Sequence, residues 1–326
     1  MPGFVESLVQ DASRGDGLPL PRALALATDP ALRPLELLAA ASRVREAHFG
    51  DRVSLCAIVS ARSGGCGEDC AFCAQSRRAD AGTPATPLLP EETLVARAHA
   101  ARAAGATEFS VVTSGRQLGP GDLARVARVL DAERGLGLLR CASLGTLSEE
   151  ALRGLADAGL QVFHHNLEAG PRFYPRIVTS RAFEDNVRTV RAAKAAGLEV
   201  CSGGVFGMGE TWEDRIELLG VLRDLGVGRV PVNFLNPIPG TPLGDRPLLP
   251  PWEALRILAL ARLVLPRARI TVAGGREVVL RQLQPLVFAA GATGILIGDY
   301  LTTRGRAAAE DLAMIHDLGL RPDPLA

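Results

Sequence analysis

The chain has 326 residues, is 47% hydrophobic, and carries equal numbers of basic and acidic side chains for a net charge of zero. That balance argues against nucleic acid as a partner, and no apolar run is long enough for a membrane span. The start "MPGFVESLVQDASRG" lacks a basic segment followed by an apolar one, so a soluble cytoplasmic protein with no membrane partner is expected.

In chain order, about the first 50 residues read as a helical extension. Short apolar strands are then expected near 52–60, 108–113, 138–144, 161–168, 199–205, 229–235, 268–273 and 294–298. Helices separate them. A glycine closes five of these helices: Gly105, Gly159, Gly197, Gly226 and Gly291. "TLSE" (Thr146 to Glu149) reads as a capping box, and "PPWEALRILALARLVL" opens on proline. Strict strand–helix alternation predicts parallel strands with right-handed crossovers. Eight such units predict a single α/β domain, a (β/α)8 TIM-type barrel. A doubly wound open sheet is the alternative. Residues from about 304 to 326 read as a helical tail.

Directly after the first strand comes "SARSGGCGEDCAFCAQS" (60–76), with Cys66, Cys70 and Cys73 in one short loop. In a barrel this is the C-terminal mouth, where function resides. Thiolates suit zinc and iron–sulfur clusters. Structural zinc takes four closed ligands, whereas three thiolates can hold a cubane cluster with one iron open to a non-protein ligand. A zinc knuckle completed elsewhere in the chain is the bland alternative.

Side chains alternate faces along a strand. His164, Asn166 and Glu168 therefore share one face of strand 161–168, and a polar face in a barrel strand points to the lumen. The other three cysteines, Cys56, Cys141 and Cys201, lie in three different strands. A buried free cysteine is usually a small hydrophobe, but three at inward positions of one barrel would converge on a metal site.

The C-x3-C-x2-C motif followed by Ala74-Gln75 resembles that of the radical S-adenosylmethionine enzymes. The resemblance implies a [4Fe–4S] cluster on Cys66, Cys70 and Cys73. Its fourth iron would chelate the amino and carboxylate groups of S-adenosylmethionine, so the cosubstrate takes the place of a fourth thiolate. Phe72 stands where the family contacts adenine. "VTSGR" (112–116) matches the segment that holds the methionyl amino group, which makes Thr113, Ser114 and Gly115 candidates. The glycines and Glu210 of "GMGET" (207–211) would shape the cosubstrate site or simply form a tight strand–helix turn.

Over nearly its whole length the chain is similar to the biotin synthase family. The matching stretches are "FHHNLEAGPRFYPRIVTSRAFEDNVRTV" (163–190), "VCSGGVFGMGET" (200–211), "VPVNFLNPIPGTPL" (230–243), "AGGRE" (273–277) and "GDYLTT" (298–303). The resemblance implies a sulfurtransferase that converts dethiobiotin to biotin. In that reaction a 5′-deoxyadenosyl radical abstracts hydrogen and an auxiliary iron–sulfur cluster donates sulfur. It also implies a flavodoxin or ferredoxin as electron donor, and a homodimer. Asn166 and His164 are implied substrate contacts, and Asn233 the partner of the ureido ring. Glu168 is implied on S-adenosylmethionine, and Arg181 is a candidate partner of its carboxylate, because guanidinium forks suit carboxylates.

The chain departs from the family at the second cluster. The familiar set is three cysteines and an arginine. Cys141 and Cys201 match two of the cysteines, Ser110 stands at the third, Thr271 stands at the arginine, and Cys56 is additional. Three thiolates without a protein fourth ligand favour a four-iron auxiliary cluster over [2Fe–2S]. Two alternatives remain: a related radical enzyme of the hydrogenase-cofactor maturase or lysine-mutase type, and a non-catalytic metal-binding protein.

Overall fold

The computed structural model describes residues 2–323. Three helices come first: α1 (Pro2–Ser13), α2 (Leu20–Thr28) and α3 (Pro34–Phe49). Alternation then begins with β1 (Arg52–Arg62), α4 (Glu91–Ala103), β2 (Glu108–Thr113), α5 (Pro120–Ala132), β3 (Leu139–Ser143) and α6 (Glu149–Asp157). It continues through β4 (Val162–His164), α7 (Phe183–Ala195), β5 (Glu199–Cys201), β6 (Gly204–Phe206), α8 (Trp212–Asp224), β7 (Arg229–Phe234) and α9 (Pro251–Val264). It ends with β8 (Arg269–Val272), α10 (Arg276–Leu280), α11 (Leu286–Ala289), β9 (Gly294–Leu296), α12 (Ala308–Asp317) and β10 (Arg321–Pro322).

The strands are parallel and pair in the order β1-β2-β3-β4-β5-β7-β8-β9. β9 pairs back onto β1 through Ser54↔Gly294, Leu55↔Ile295 and Cys56↔Leu296, which closes the barrel and excludes an open sheet. β6 continues the stave begun by β5, pairing with β7 through Gly204↔Val232. β10 adds to the start of β1 through Arg52↔Arg321. The closed ring therefore has eight staves, as the alternation predicts.

The sequence expectation of one strand over 161–168 needs correction. Regular pairing ends at His164, and the chain then runs on beside the β5–β6 break. There His165 N–H donates to the Cys201 carbonyl and Leu167 N–H to that of Gly203. Asn166 Oδ1 takes the Gly203 N–H at 3.1 Å, and Glu168 turns into a left-handed conformation, φ 70°. The capping expectation also shifts. Ser148, not Thr146, caps α6, accepting the Ala151 N–H at 3.2 Å, because the helix starts at Glu149. The five helix-closing glycines all have positive φ.

Parity sorts each stave. On β1, Val53, Leu55, Val59 and Ala61 are buried in the hydrophobic core, whereas Cys56 and Ile58 line the lumen. On β2, Phe109 and Val111 join that core, and Glu108, Ser110 and Val112 face the lumen. On β7, Val230 and Val232 join it, and Arg229, Pro231 and Asn233 face inward. The outer layer buries branched apolar side chains, each fully buried one contributing about 1.5–3 kcal/mol. That core fixes the register, since a one-residue slip would exchange the two faces. At the tail, α12 is anchored by the fully buried Asp311, whose Oδ2 accepts from Arg276 Nη2 at 2.7 Å.

Candidate active site

The lumen is a continuous cavity of about 410 Å³. Phe72, Cys73 and Glu168 line its mouth, Cys56, Cys141 and Cys201 its deep end, and Tyr300 to Thr303 its roof.

The cysteine loop folds on itself by backbone bonds. Cys66 N–H donates to the Gln75 carbonyl at 3.0 Å, Arg77 N–H to the Cys66 carbonyl at 2.9 Å, and Cys73 N–H to the Cys70 carbonyl at 3.0 Å. Gly64 has positive φ, and a Cβ there would lie 2.5 Å from the Pro84 carbonyl oxygen, so no side chain fits that turn. A second segment grips the loop from outside. Asp69 Oδ1 accepts the N–H groups of Thr179 and Ser180 at 2.9 and 3.0 Å. Ser180 Oγ donates to Glu68 Oε2 at 2.6 Å. Burial alone would raise the Asp69 pKa, but the bonds from Thr179 and Ser180 outweigh it and hold the carboxyl far below its usual range.

All six cysteines are free thiols. Burial raises Cys70, with the Arg181 guanidinium opposing, and it also raises Cys73. Among the described residues, no three His, Cys, Asp or Glu side chains stand close enough to hold a single metal ion. An iron–sulfur core is wider than one ion and spreads its thiolates further.

From β4 outward, His164, Asn166 and Glu168 line the lumen in one hydrogen-bonded row. His164 Nε2 donates to Asn166 Oδ1 at 3.0 Å, and Asn166 Nδ2 donates to Glu168 Oε2 at 3.3 Å. His165 points the other way and meets Asn186 of α7 at 3.1 Å. Burial pushes the His164 pKa down to about 4, so the imidazole is neutral, and pushes Glu168 up to about 7 against the pull of Arg181. On β7, Asn233 Oδ1 accepts the Gly274 N–H at 2.9 Å and Nδ2 donates to the Gly204 carbonyl at 3.3 Å. Those bonds fix the amide plane and leave one donor and one acceptor site on it.

Thr113 lines the lumen, and its buried hydroxyl has no partner among the described residues. The Ser114 hydroxyl is already committed, donating to the Gly64 carbonyl at 2.7 Å. Gly115 has φ 100°, which disfavours any side chain, and a Cβ there would displace the Arg62 guanidinium. Arg181 is 10% exposed, and its Nε donates to the Tyr174 hydroxyl at 3.0 Å and lies 3.9 Å from Glu68. It is not among the residues lining the lumen, but its charge acts on Cys70 and Glu168. Glu210 is engaged locally, accepting from Gly207 N–H and Arg215 Nε at 2.7 and 2.8 Å. Of the two readings of "GMGET", these bonds favour the strand–helix turn.

At depth, Cys56, Cys141 and Cys201 come from β1, β3 and β5 and line one space. Burial raises all three thiols, Cys201 to about 12, with the Arg229 guanidinium opposing each. Ser110 and Thr271 line the same cavity, and the buried Ser110 hydroxyl has no partner among the described residues. Thiols on three staves beside an unpartnered hydroxyl fit a polar inorganic occupant better than an apolar core. Two residues absent from the sequence reading also belong here, Glu108 and Arg229. Arg229 Nη1 donates to Glu108 Oε1 at 2.6 Å. Their lumen parity with Ser110 and Asn233 was the signal that could have found them.

The profile described as the Radical SAM superfamily matches residues 61–222, and that of the Biotin and Thiamin Synthesis associated domain matches 231–321. A curated relative named biotin synthase from Heliobacterium modesticaldum is 52% identical over 291 residues, covering 89% of each chain. The chain belongs to the biotin synthase family. Another relative of that name, from Pelotomaculum thermopropionicum, is 47% identical over 316 residues and covers 96% of this chain and 98% of its own. Solved structures show the same fold at low identity. Methylornithine synthase superposes with a TM-score of 0.80 at 22% identity, covering 97% of both chains. HydG, a maturase of the [FeFe]-hydrogenase, gives 0.82 at 14%, covering 100% of this chain and 76% of its own. In this biotin synthase family member, the β6–β7 pairing, Gly204↔Val232, joins the two profile regions, and the β1–β9 pairing closes the ring.

Proposed function

We propose that this chain makes biotin from dethiobiotin by radical sulfur insertion. One observation carries the reading: a single lumen runs from Cys73 and Phe72 at its mouth to Cys56, Cys141 and Cys201 at depth, with Asn166 and Asn233 on its wall. Cys66, Cys70 and Cys73 would hold the [4Fe–4S] cluster that binds S-adenosylmethionine, and Cys56, Cys141 and Cys201 an auxiliary cluster of the four-iron type. When bound, these groups supply a hydrogen-abstracting carbon radical and a sulfur atom.

The chain's own work is placement. Asn233 offers its free N–H and lone pair to the cyclic urea of the substrate. Asn166, its amide fixed by His164 and Gly203, orients the substrate from the other side of the β5–β6 stave. Neutral His164 adds no charge beside a neutral ring. Glu168, Phe72 and Thr113 face the cosubstrate, and Ser114 and Gly115 shape the backbone beneath it. Arg181 supports the site through its charge on Cys70 and Glu168. Ile58, Val112, Val205 and Leu296 keep the lumen apolar between these polar groups and exclude water that would quench a radical.

In this reading residues from about 1 to 50 and 304 to 326 are extensions of a single barrel domain. The electron donor is a small redox protein such as flavodoxin or ferredoxin, the enzyme is a homodimer, and it works in the cytoplasm. Among the described residues no helix is long and apolar enough to cross a membrane. The test is anaerobic incubation of the reconstituted protein with S-adenosylmethionine, a reductant and dethiobiotin, read by mass spectrometry. Biotin together with 5′-deoxyadenosine is the expected result. 5′-Deoxyadenosine without biotin or a thiolated intermediate would reject the sulfur-insertion reading.

A further inference from the structure

Arg229 lies outside every role assigned above. We propose that its guanidinium is a positioning residue for the auxiliary cluster, a fixed cation that offsets the negative charge of the core held by Cys56, Cys141 and Cys201. The inference rests on the reading of those three cysteines as cluster ligands.

Register places the charge. Arg229 pairs with Cys201 across β5 and β7, and Glu108 pairs with Cys56 across β1 and β2. The Arg229 and Glu108 side chains are only 5% and 7% exposed, and both line the lumen. Glu108 Oε1 holds Arg229 Nη1 at 2.6 Å, and Glu199 Oε2 lies 2.8 Å from Arg229 Nε. A guanidinium hydrogen-bonded to Glu108 and ion-paired with Glu199 has a fixed direction.

Burying such a pair is costly, and apolar side chains of similar volume would serve stability as well or better. A barrel interior is ordinarily packed with branched apolar residues. The ion pair therefore sits where packing gives no reason for it, beside three thiols. An iron–sulfur core bearing three thiolates is anionic, and its potential follows net charge and nearby donors. Between buried side chains a neighbouring charge is screened less than in water. A cation eases addition of an electron to the core, and a carboxylate opposes it. Arg229 and Glu108 must therefore shift the potential in opposite directions.

The test uses the full chain with Cys66, Cys70 and Cys73 replaced by alanine, so that iron reports the auxiliary site alone. After anaerobic reconstitution, iron and sulfide per chain, their rate of loss to a chelator, and the midpoint potential are measured. Arg229→Gln should lower the midpoint and speed iron loss. Arg229→Lys should recover most of the midpoint. Glu108→Gln, with Glu199 still holding the guanidinium, should raise it. A purely structural pair would give faster iron loss in both neutral variants with no opposed shifts. Unchanged midpoints, or shifts of one sign, would overturn the proposal. If Arg229→Gln does not fold, the Glu108→Gln shift decides by itself: upward supports the proposal, and unchanged or downward rejects it. Cys56→Ala in the same background separates the two inferences. Full retention of iron in that variant would reject the cluster reading itself, and the Arg229 proposal with it. Loss of iron there, with an unmoved midpoint in Arg229→Gln and Glu108→Gln, would reject Arg229 alone.

Discussion

Asp69 in the cysteine loop accepts the backbone N–H of Ser180, 111 residues further along the chain, at 3.0 Å. The loop that carries Cys66, Cys70 and Cys73 is thus fastened to the segment between β4 and α7. Asp69→Ala should cost about 1.5–3 kcal/mol, the usual range for a hydrogen bond to a charged group. The protein should melt earlier and release iron from the first cluster faster, both measurable with the auxiliary cysteines replaced. Because the Asp69 pKa is depressed by folding, its contribution is present above about pH 4 and is lost as pH falls further.

Glu168 gives the opposite dependence. Folding raises its pKa to about 7 by burial. The unfolded chain ionises this carboxyl from about pH 4 upward while the folded chain does not. The unligated protein should lose stability between those two values and level off above the higher one. Denaturant unfolding across that range should show the slope, and Glu168→Gln should flatten it.

Cys56→Ala should remove the auxiliary cluster and leave the first in place. The expected variant holds less iron, still cleaves S-adenosylmethionine, and makes no biotin. Unchanged iron content and spectra would show that Cys56 is a core residue.

Asn233→Ala should weaken dethiobiotin binding by roughly 10–100-fold, the equivalent of a buried hydrogen-bonding group left unmatched at about 1–3 kcal/mol. KM should rise, while cleavage of S-adenosylmethionine without substrate stays near the parent rate. Equal loss of both would show that the amide holds the barrel together through Gly204 and Gly274.

Asp311→Ala leaves the Arg276 guanidinium, itself fully buried, without its main partner. A loss of about 3–5 kcal/mol is expected, visible as a lower unfolding midpoint. The roof residues Tyr300 to Thr303 should become more susceptible to proteolysis, since the strap between β9 and α12 loses its anchor.

The barrel was legible because its cues are local. Glycines close helices, apolar runs mark staves, and alternation fixes faces, so the polar row of His164, Asn166 and Glu168 could be read before any coordinates. Alternation gives Arg229 the same inward parity as Asn233 but not its role. In sequence it opens an apolar strand, and its meaning depends on Glu108, 121 residues away, meeting it across the ring. The hydroxyl bond of Ser114 was hidden for a related reason. Its hydroxyl is used by the Gly64 carbonyl, a contact between two loops that no strand pattern encodes. The ending of β4 at His164 is likewise a tertiary outcome, set by the break between β5 and β6 beside it.

Closure of the ring by the β1–β9 pair also imposes an order in time. Cys56 on the first stave has Leu296 of the last stave as its neighbour. The deep pocket therefore lacks one wall until nearly the whole chain has left the ribosome. Cys66, Cys70 and Cys73 emerge together in a single short loop, but their clamp at Thr179 and Ser180 is made much later. In the proposed reading, iron loading at the deep site is thus a task for the finished chain, and a nascent chain stalled before β9 would carry all six thiols with no chamber to shelter the second set.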